Sequence, residues 1–567
     1  MDKGSSADYE EYNVGEPLFE FGELHANREK IKEYIRSKQL TRPISQLEEE
    51  EPNSEKSKVR PVVRKEEKDK FGEVFTPNKL IKDMLDKLPK ELWGDPTKKW
   101  LDPATGFANF PIMVYEGLME GLAEHPEFTD PSVRSKHIIK RMLYMVEYNK
   151  DSCKIIRQIF GTAANLFCDS FLEPIIFPDE TSEFDVIVGN PPFNADQTHD
   201  GRKGGGSNLW PHFVNKSLDI LSPGGYLLFV HPALWRKPPS DRARTLFDKM
   251  VHDNHMLYLE IHSKPDGFRD FGVQTRYDYY VIQKRQPIPS KDFTIVKDQT
   301  GEEHPLMDLS RWRFLPNHSF ELIEPLLSEK KEEEDYVIFS RGQYGSDKDW
   351  VISDEKKREN IEKDSEYHEF KFPLVHSTTL NGPKMYWSKR MNDDCKDCKK
   401  MFGVPKLIFG ESGINTVIID DKGENGVTQG AMAIKISGRG EGEIMKRVIE
   451  SVEFHRILDA MSFSNFRIDW RMFLYFRPNF YTHPQFATTT PFVRPSILKK
   501  RVAGEQDRMM DFVQTKIARD DPSKITKSKT TKLKIKSPFN QGGRKRKCCN
   551  STKRRRKRNL RYTRKKY

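Results

Sequence analysis

Between residue 71 and about residue 284, short apolar runs alternate with amphipathic stretches. Short segments centred on apolar residues at 99–102, 142–147, 165–168, 185–188, 226–230, 258–262 and 279–283 read as strands. Between them, apolar positions recur at helical spacing over 78–88, 107–122, 154–160, 210–221 and 241–252. Strand and helix in turn predict an α/β domain around a mostly parallel sheet, spanning 71–285. Pro223-Gly224-Gly225 predicts a tight turn into the fifth strand. From 286 to 500 the pattern changes. Lys406-Leu407-Ile408-Phe409 and Thr416-Val417-Ile418-Ile419 read as strands, and only 443–461 keeps a long helical period, which predicts a second, mixed α+β domain. Residues 1–70 are charged and irregular, with Glu48–Glu51 before Pro52 reading as linker, and 501–567 form a basic tail expected to be largely disordered.

Charge changes this picture in one respect. The chain of 567 residues carries a net +11, but twenty Lys and Arg and no Asp or Glu lie after residue 522; removing those twenty leaves the remainder at −9. The basic character therefore belongs to an appendage, which would hold polyanions without sequence preference or serve as a nuclear import signal. Six cysteines are too few for a disulfide framework at this length, and no apolar run is long enough to span a bilayer. An intracellular protein, cytoplasmic or nuclear, with no membrane contact is expected.

The chemistry concentrates at Asn190-Pro191-Pro192-Phe193, directly after the strand that ends in Val188 and Gly189. A strand running into a tight turn presents these residues at the carboxyl edge of a parallel sheet. An exocyclic aromatic amine is a poor nucleophile because its lone pair is delocalised. The Asn190 amide oxygen and the Pro191 carbonyl can accept from its two N–H groups and favour a pyramidal nitrogen, while proline fixes the backbone direction. Phe193 offers a face for a flipped base. A plain turn is the alternative. Leu101-Asp102-Pro103-Ala104-Thr105-Gly106 follows a short strand and opens a helix, and its small residues allow a ligand close to the backbone. Asp102 can orient the amino-acid part of a methyl donor, or simply cap the helix. Glu147, at a strand end, can accept from ribose hydroxyls, and Asp169 from an adenine amine; solvated turns are the alternative for both.

In order, the glycine loop, Glu147, Asp169 and Asn190-Pro191-Pro192-Phe193 resemble the amino-methyltransferases that act on DNA adenine, above all the large bacterial, phage and viral enzymes of the restriction–modification type. Phe71-Gly72-Glu73-Val74-Phe75-Thr76-Pro77 is similar to the family segment ahead of the donor loop, and its position gives the family's gamma order. The resemblance implies a Rossmann-like S-adenosylmethionine-dependent methyltransferase domain, followed by a target-recognition domain over 286–500. It implies a donor pocket lined by Thr76, Pro77, Asp102, Pro103, Ala104, Gly106, Glu147 and Asp169, and a target-base site built from Asn190, Pro191, Pro192 and Phe193. The family often has Tyr where Phe193 stands, which keeps stacking and loses a hydroxyl. A family segment near the flipped base corresponds to 271–277, which nominates Phe271 or Tyr277.

The expected cofactor is S-adenosyl-L-methionine, the expected partner DNA, and a cognate restriction endonuclease fits the same reading. No metal ligand set is expected: Cys395 and Cys398 form one pair where a structural zinc site takes four ligands. The glycine-rich stretch 194–207, with Arg202 and Lys203, is either a loop that closes on phosphates or a surface insertion. Ser462–Arg471 mixes aromatics, amides and arginines, as a base-reading surface or a core edge would. Other readings of the same chain are methylation of RNA adenine or of a protein glutamine amide, which pose the same lone-pair problem, and a catalytically silent nucleic-acid-binding module.

Overall fold

The computed structural model describes residues 76–492 apart from 176, 178–180, 194–207, 239–244, 329–336, 340–343, 380, 392–399, 412, 415 and 464–469. Several sequence expectations lie outside the described residues: the first part of the Phe71–Pro77 segment, the loop with Arg202 and Lys203, the Cys395–Cys398 pair, most of 462–471 and both terminal regions.

The first half is built on strands β1 (Trp100–Asp102), β2 (Leu143–Val146), β3 (Asn165–Phe167), β4 (Phe184–Gly189), β5 (Leu221–Pro232), β6 (His255–His262) and β7 (Tyr277–Gln283). Their helices are α1 (Asn78–Leu85), α2 (Asn109–Gly121), α3 (Pro131–His137), α4 (Lys150–Phe160), α5 (Trp210–Ile220), α6 (Leu246–Val251) and α7 (Lys264–Phe271). The strands run in the order β3-β2-β1-β4-β5-β7-β6. From β3 to β5 every pairing is parallel, and β7 enters antiparallel between β5 and β6. This is a Rossmann-like, doubly wound α/β sheet, mostly parallel as the apolar runs predicted.

Alternation along the strands explains why both faces are dry. Val186, Val188, Leu228, Val230, Tyr279 and Val281 join one apolar cluster with α1, α2 and α4. Ile187, Leu227, Phe229, Tyr280 and Ile282, one residue out of phase, join the other with α5 and α6. The Pro223-Gly224-Gly225 turn sits within β5 as a bulge: β4 pairs with Leu221 and then with Tyr226, and Gly224 takes φ +79°.

The sheet does not stop at residue 285. A hairpin of β8 (Thr294–Lys297) and β9 (Glu303–Met307) extends it, β8 lying parallel to β6. Beyond it come two four-stranded sheets. One orders β10 (Val337–Phe339), β17 (Ala431–Lys435), β14 (Lys406–Gly410) and β15 (Ile418–Asp420); the other orders β11 (Val351–Ser353), β13 (Gly382–Ser388), β12 (Phe372–Thr379) and β16 (Gly426–Val427). The helical period at 443–461 is two helices, Arg439–Ile449 and Val452–Ala460. Ser451 separates them: its hydroxyl accepts from the Phe454 N–H, a cap that starts a new helix.

The apolar cluster on the α5 face is continuous from Leu101 and Phe229 through Trp312 and Phe314 to Phe409, Phe454 and Phe486. At its centre, Arg236 and Asp278 are both fully buried and paired through Nε at 2.7 Å and Nη2 at 3.0 Å. Arg236 also donates to the Leu315 and Pro316 carbonyls and to Asn317, while Asn317 bonds Ala460 and Ser462. Cys153 on α4 and Cys168 after β3 stand side by side, their Cα atoms 6.2 Å apart, a proximity the cysteine count did not suggest. Among the described residues no helix is long and apolar enough to cross a membrane.

Candidate active site

β1 and β4 are parallel neighbours, yet the chain leaves them in opposite directions, β1 towards β2 and β3, β4 towards β5. At such a switch point the loops beyond the carboxyl ends diverge and leave a crevice where ligands bind in open α/β sheets. Two of the sequence candidates, Asp102 and Asn190, flank it.

Asp102 ends β1 and is 2% exposed. Its Oδ1 accepts from the Ala104 N–H at 3.0 Å, and Thr105 donates from its hydroxyl to the Asp102 carbonyl at 3.2 Å, so the loop curls back on the strand end. Burial pushes the Asp102 carboxyl up to about 7, with the Ala104 N–H acting in the other direction. It caps no helix: the N-cap of α2 is Ala108, without a side-chain cap. Across the crevice, a Cβ on Gly189 would stand 2.9 Å from Asp102 Oδ1, so only glycine lets the end of β4 come this close.

Glu147 follows β2 and is 7% exposed. One carboxylate oxygen accepts from the Gly106 N–H at 2.6 Å, the other from the Asn149 N–H at 2.7 Å. The Thr105 N–H donates to the Val146 carbonyl at 3.1 Å. The loop after β1 is thus stitched to the end of β2, and Gly106, at φ +55°, turns there with open space where a side chain would project. Pro103 is buried and Ala104 partly so. Asp169 stands apart: it is exposed and accepts from the Ser170 N–H, as an acid in a solvated turn does.

The bend after β4 carries Asn190, partly buried, then Pro191 buried, Pro192 partly buried and Phe193 8% exposed. Asn190 Nδ2 donates to Thr76 Oγ1 at 3.0 Å. This bond spans more than a hundred residues of sequence and ties the bend to the start of α1, where Pro77 supplies the carbonyl that accepts from Ile81. With the amide nitrogen committed to Thr76, the Asn190 oxygen is the end that faces away from that bond.

Residues 129–265 match the family model described as Eco57I restriction-modification methylase. That span contains Glu147, Asp169 and the Asn190–Phe193 bend, so the resemblance read from the motifs is borne out there. A curated relative, "Uncharacterized adenine-specific methylase" from Mycoplasma pneumoniae, is 29% identical over 263 residues, covering 33% of this chain and 61% of the relative. The chain therefore spans less than two thirds of that relative's length. Among solved structures, the Type IIL restriction-modification enzyme MmeI in complex with DNA is similar at a TM-score of 0.44 and 11% identity, over 72% of this chain and 68% of that one. A DrdV–DNA complex is similar at 0.40 and 11% identity, over 74% and 56%.

Within the matched segment and just beyond it, aromatic rings gather at the bend. Phe193 meets Phe271 edge-on at 6.3 Å between centroids, and Phe271 meets Tyr277 at 4.8 Å. Tyr277 donates from its hydroxyl to Asp270 at 2.6 Å and stacks on His262 at 4.3 Å. Both aromatics nominated from the sequence thus join one cluster with Phe193. Asp270 and His262 were missed. Asp270 lies next to a nominated residue and offered that hint; His262 lay in a strand with nothing to mark it.

Proposed function

We propose that the protein transfers a methyl group from S-adenosylmethionine to the N6 amine of adenine in DNA, as the modification activity of a restriction–modification system. The reading rests on the juxtaposition of the Asn190-Pro191-Pro192-Phe193 bend with the buried Asp102 loop across the β1–β4 crevice. The residues present fit the donor. A buried carboxyl raised to about 7 would be held ionised by a cation brought alongside, and S-adenosylmethionine carries both an ammonium and a sulfonium. Its sulfonium methyl is the electrophile; everything else is positioning by this chain. Asp102 with Pro103, Ala104 and Gly106 would hold the amino-acid end. Glu147, fixed by its two backbone bonds at the end of β2, would take the ribose, and Asp169 the adenine edge. Thr76 and Pro77 would close the pocket beside Asn190.

Asn190 Oδ1 and the Pro191 carbonyl would accept from the target amine while Phe193 stacks on its ring. No strong base is needed, because the amine becomes acidic only as the new bond forms. The region 286–500 would read the flanking bases, and a cognate endonuclease would share its target sequence.

Incubation with labelled S-adenosylmethionine and DNA, RNA or protein tests the substrate: label is expected in DNA, at adenine N6. Label in RNA or protein alone would overturn the assignment. Phe193→Ala is expected to lower DNA methylation about 10- to 100-fold, the equivalent of a lost base stack of ~1–3 kcal/mol, with Phe193→Trp retaining part of the rate. Equal rates in Phe193→Ala and the parent would remove the ring from the site.

Asp102 gives a pH signature. Its folded value lies above that of an unfolded aspartate, so the protonated form is the comfortable one in the ligand-free fold, and the stability it contributes fades as pH rises from about 4 through about 7. A cationic donor favours the ionised form, so donor affinity should rise with pH up to about 7 and then level, with proton release below that. Calorimetry in buffers of different ionisation enthalpy would detect the released proton. Asp102→Asn should bind weakly at all pH values and release none; a parent-like pH slope in that variant would contradict the role.

A further inference from the structure

The outer hairpin holds a group of atoms that the methyl-transfer reading does not use. Asp298 opens the turn between β8 and β9, Glu302 closes it, and His304 lies on β9 opposite Val296, on the inward face, its ring 5.1 Å from that of Phe320. Asp298 is 2% exposed. Its Oδ1 is fully engaged by the turn, accepting from the Thr300 N–H at 2.8 Å, the Thr300 hydroxyl at 2.6 Å and the Glu302 N–H at 3.2 Å. Its Oδ2 is buried with no hydrogen-bond partner, and so is His304 Nε2, 3.5 Å away. A carboxylate oxygen of Glu302, Asp298 Oδ2 and the His304 nitrogen all lie within 4.8 Å of one another.

A buried carboxylate oxygen without a donor is costly, and two such unsatisfied atoms aimed at each other suit an ion between them. The three turn bonds on Oδ1 fix the direction of Oδ2, as hydrogen bonds to the far side of a ligating carboxylate do. Two ligands held at about 2.1 Å from a tetrahedral ion stand about 3.4 Å apart, close to the 3.5 Å between Asp298 Oδ2 and His304 Nε2. Two carboxylates with one imidazole suit zinc and its first-row neighbours rather than calcium or magnesium, which prefer cages made only of oxygen. The exposed Glu302 side leaves a path from solvent.

The geometry points to a divalent transition-metal site on the β8–β9 hairpin, with Asp298 Oδ2, a Glu302 carboxylate oxygen and His304 Nε2 as protein ligands and water completing the shell. Its place in the fold makes it structural. Gln299, inside the turn, donates its N–H to the Asn317 carbonyl at 3.1 Å and accepts from Arg276 through its side chain. An ion there would lock the turn through which the hairpin meets Asn317, in the segment that carries the Arg236 network. The site is independent of the methyl-transfer reading and stands or falls separately from it.

The full-length chain, stripped with a chelator, is titrated with zinc alone and cobalt(II) alone. One equivalent of cobalt is expected to bind with the visible absorption of a four- or five-coordinate oxygen and nitrogen site and no thiolate charge-transfer band; zinc should raise the melting temperature. Asp298→Asn and His304→Gln should each lose that equivalent and the zinc-dependent shift, while a Cys395→Ser/Cys398→Ser variant keeps both. Should Asp298→Asn fail to fold, Glu302→Gln at the exposed end of the turn serves in its place. No binding by the parent, unchanged stoichiometry in the histidine variant, or loss confined to the cysteine variant would overturn the site and leave Asp298 and His304 as an ion pair.

Discussion

Replacing Asn190 with alanine is expected to lower the rate of adenine methylation by at least about 10²–10³-fold while leaving S-adenosylmethionine binding nearly intact. The size follows from what one preorganised polar group contributes where charge develops in a transition state, about 3–4 kcal/mol in comparable sites. The asymmetry follows from position. Asn190 belongs to the bend after β4, whereas the proposed donor contacts, apart from Thr76 and Pro77, belong to the loops after β1, β2 and β3. Thr76 orients Asn190 through the 3.0 Å bond to Nδ2, so Thr76→Val should reproduce part of the loss by letting the amide rotate. Single-turnover transfer from labelled donor, alongside donor calorimetry, separates rate from binding. A variant that methylates at the parental rate would leave the bend without a chemical task.

Asp278→Ala is expected to destabilise the fold by about 3–5 kcal/mol, because it strands the Arg236 guanidinium in a site from which water is excluded. Replacing both residues by apolar ones of similar volume, Arg236→Met with Asp278→Leu, should recover most of that loss, although the Leu315, Pro316 and Asn317 oxygens would still lack their donor. Urea unfolding of the three proteins gives the comparison. A cost below about 1 kcal/mol for Asp278→Ala would mean that water reaches the pair.

The seven strands of the first half were legible because a parallel sheet buried on both faces needs continuous apolar runs, and local sequence carries that requirement. Asp102 and Asn190 were legible for a related reason: each follows such a run, and the end of a strand at a switch point is where a side chain reaches a ligand. What pairing across distance decides was not legible. Nothing near Glu147 says that its carboxylate grips the Gly106 N–H, or that Arg236 meets Asp278 and Asn317. Helix α7 escaped the pattern because Pro265 and Gly267 weaken it, yet Ser263 and Asp266 form a capping box that starts it, and only glycine fits at 267 because the Thr275 carbonyl passes where a Cβ would be. The helix at 443–461 was read as one because Ser451 interrupts the chain without interrupting the apolar period. The unpartnered oxygen of Asp298 was not legible either, because it exists only once His304 is folded over it.

The unbroken oily seam from Leu101 to Phe486 bears on how a duplex would be engaged. A jaw that shuts needs a wet hinge, and between the crevice and the sheets of the second half the side chains interlock instead. If the proposed activity holds, an apolar interlock of this kind would leave much of the deformation to the nucleic acid, by unstacking or kinking where its steps are weakest. Discrimination would then depend on how readily a sequence distorts as well as on which atoms it displays, and substitutions that soften the seam would blur selectivity before they slow the chemistry.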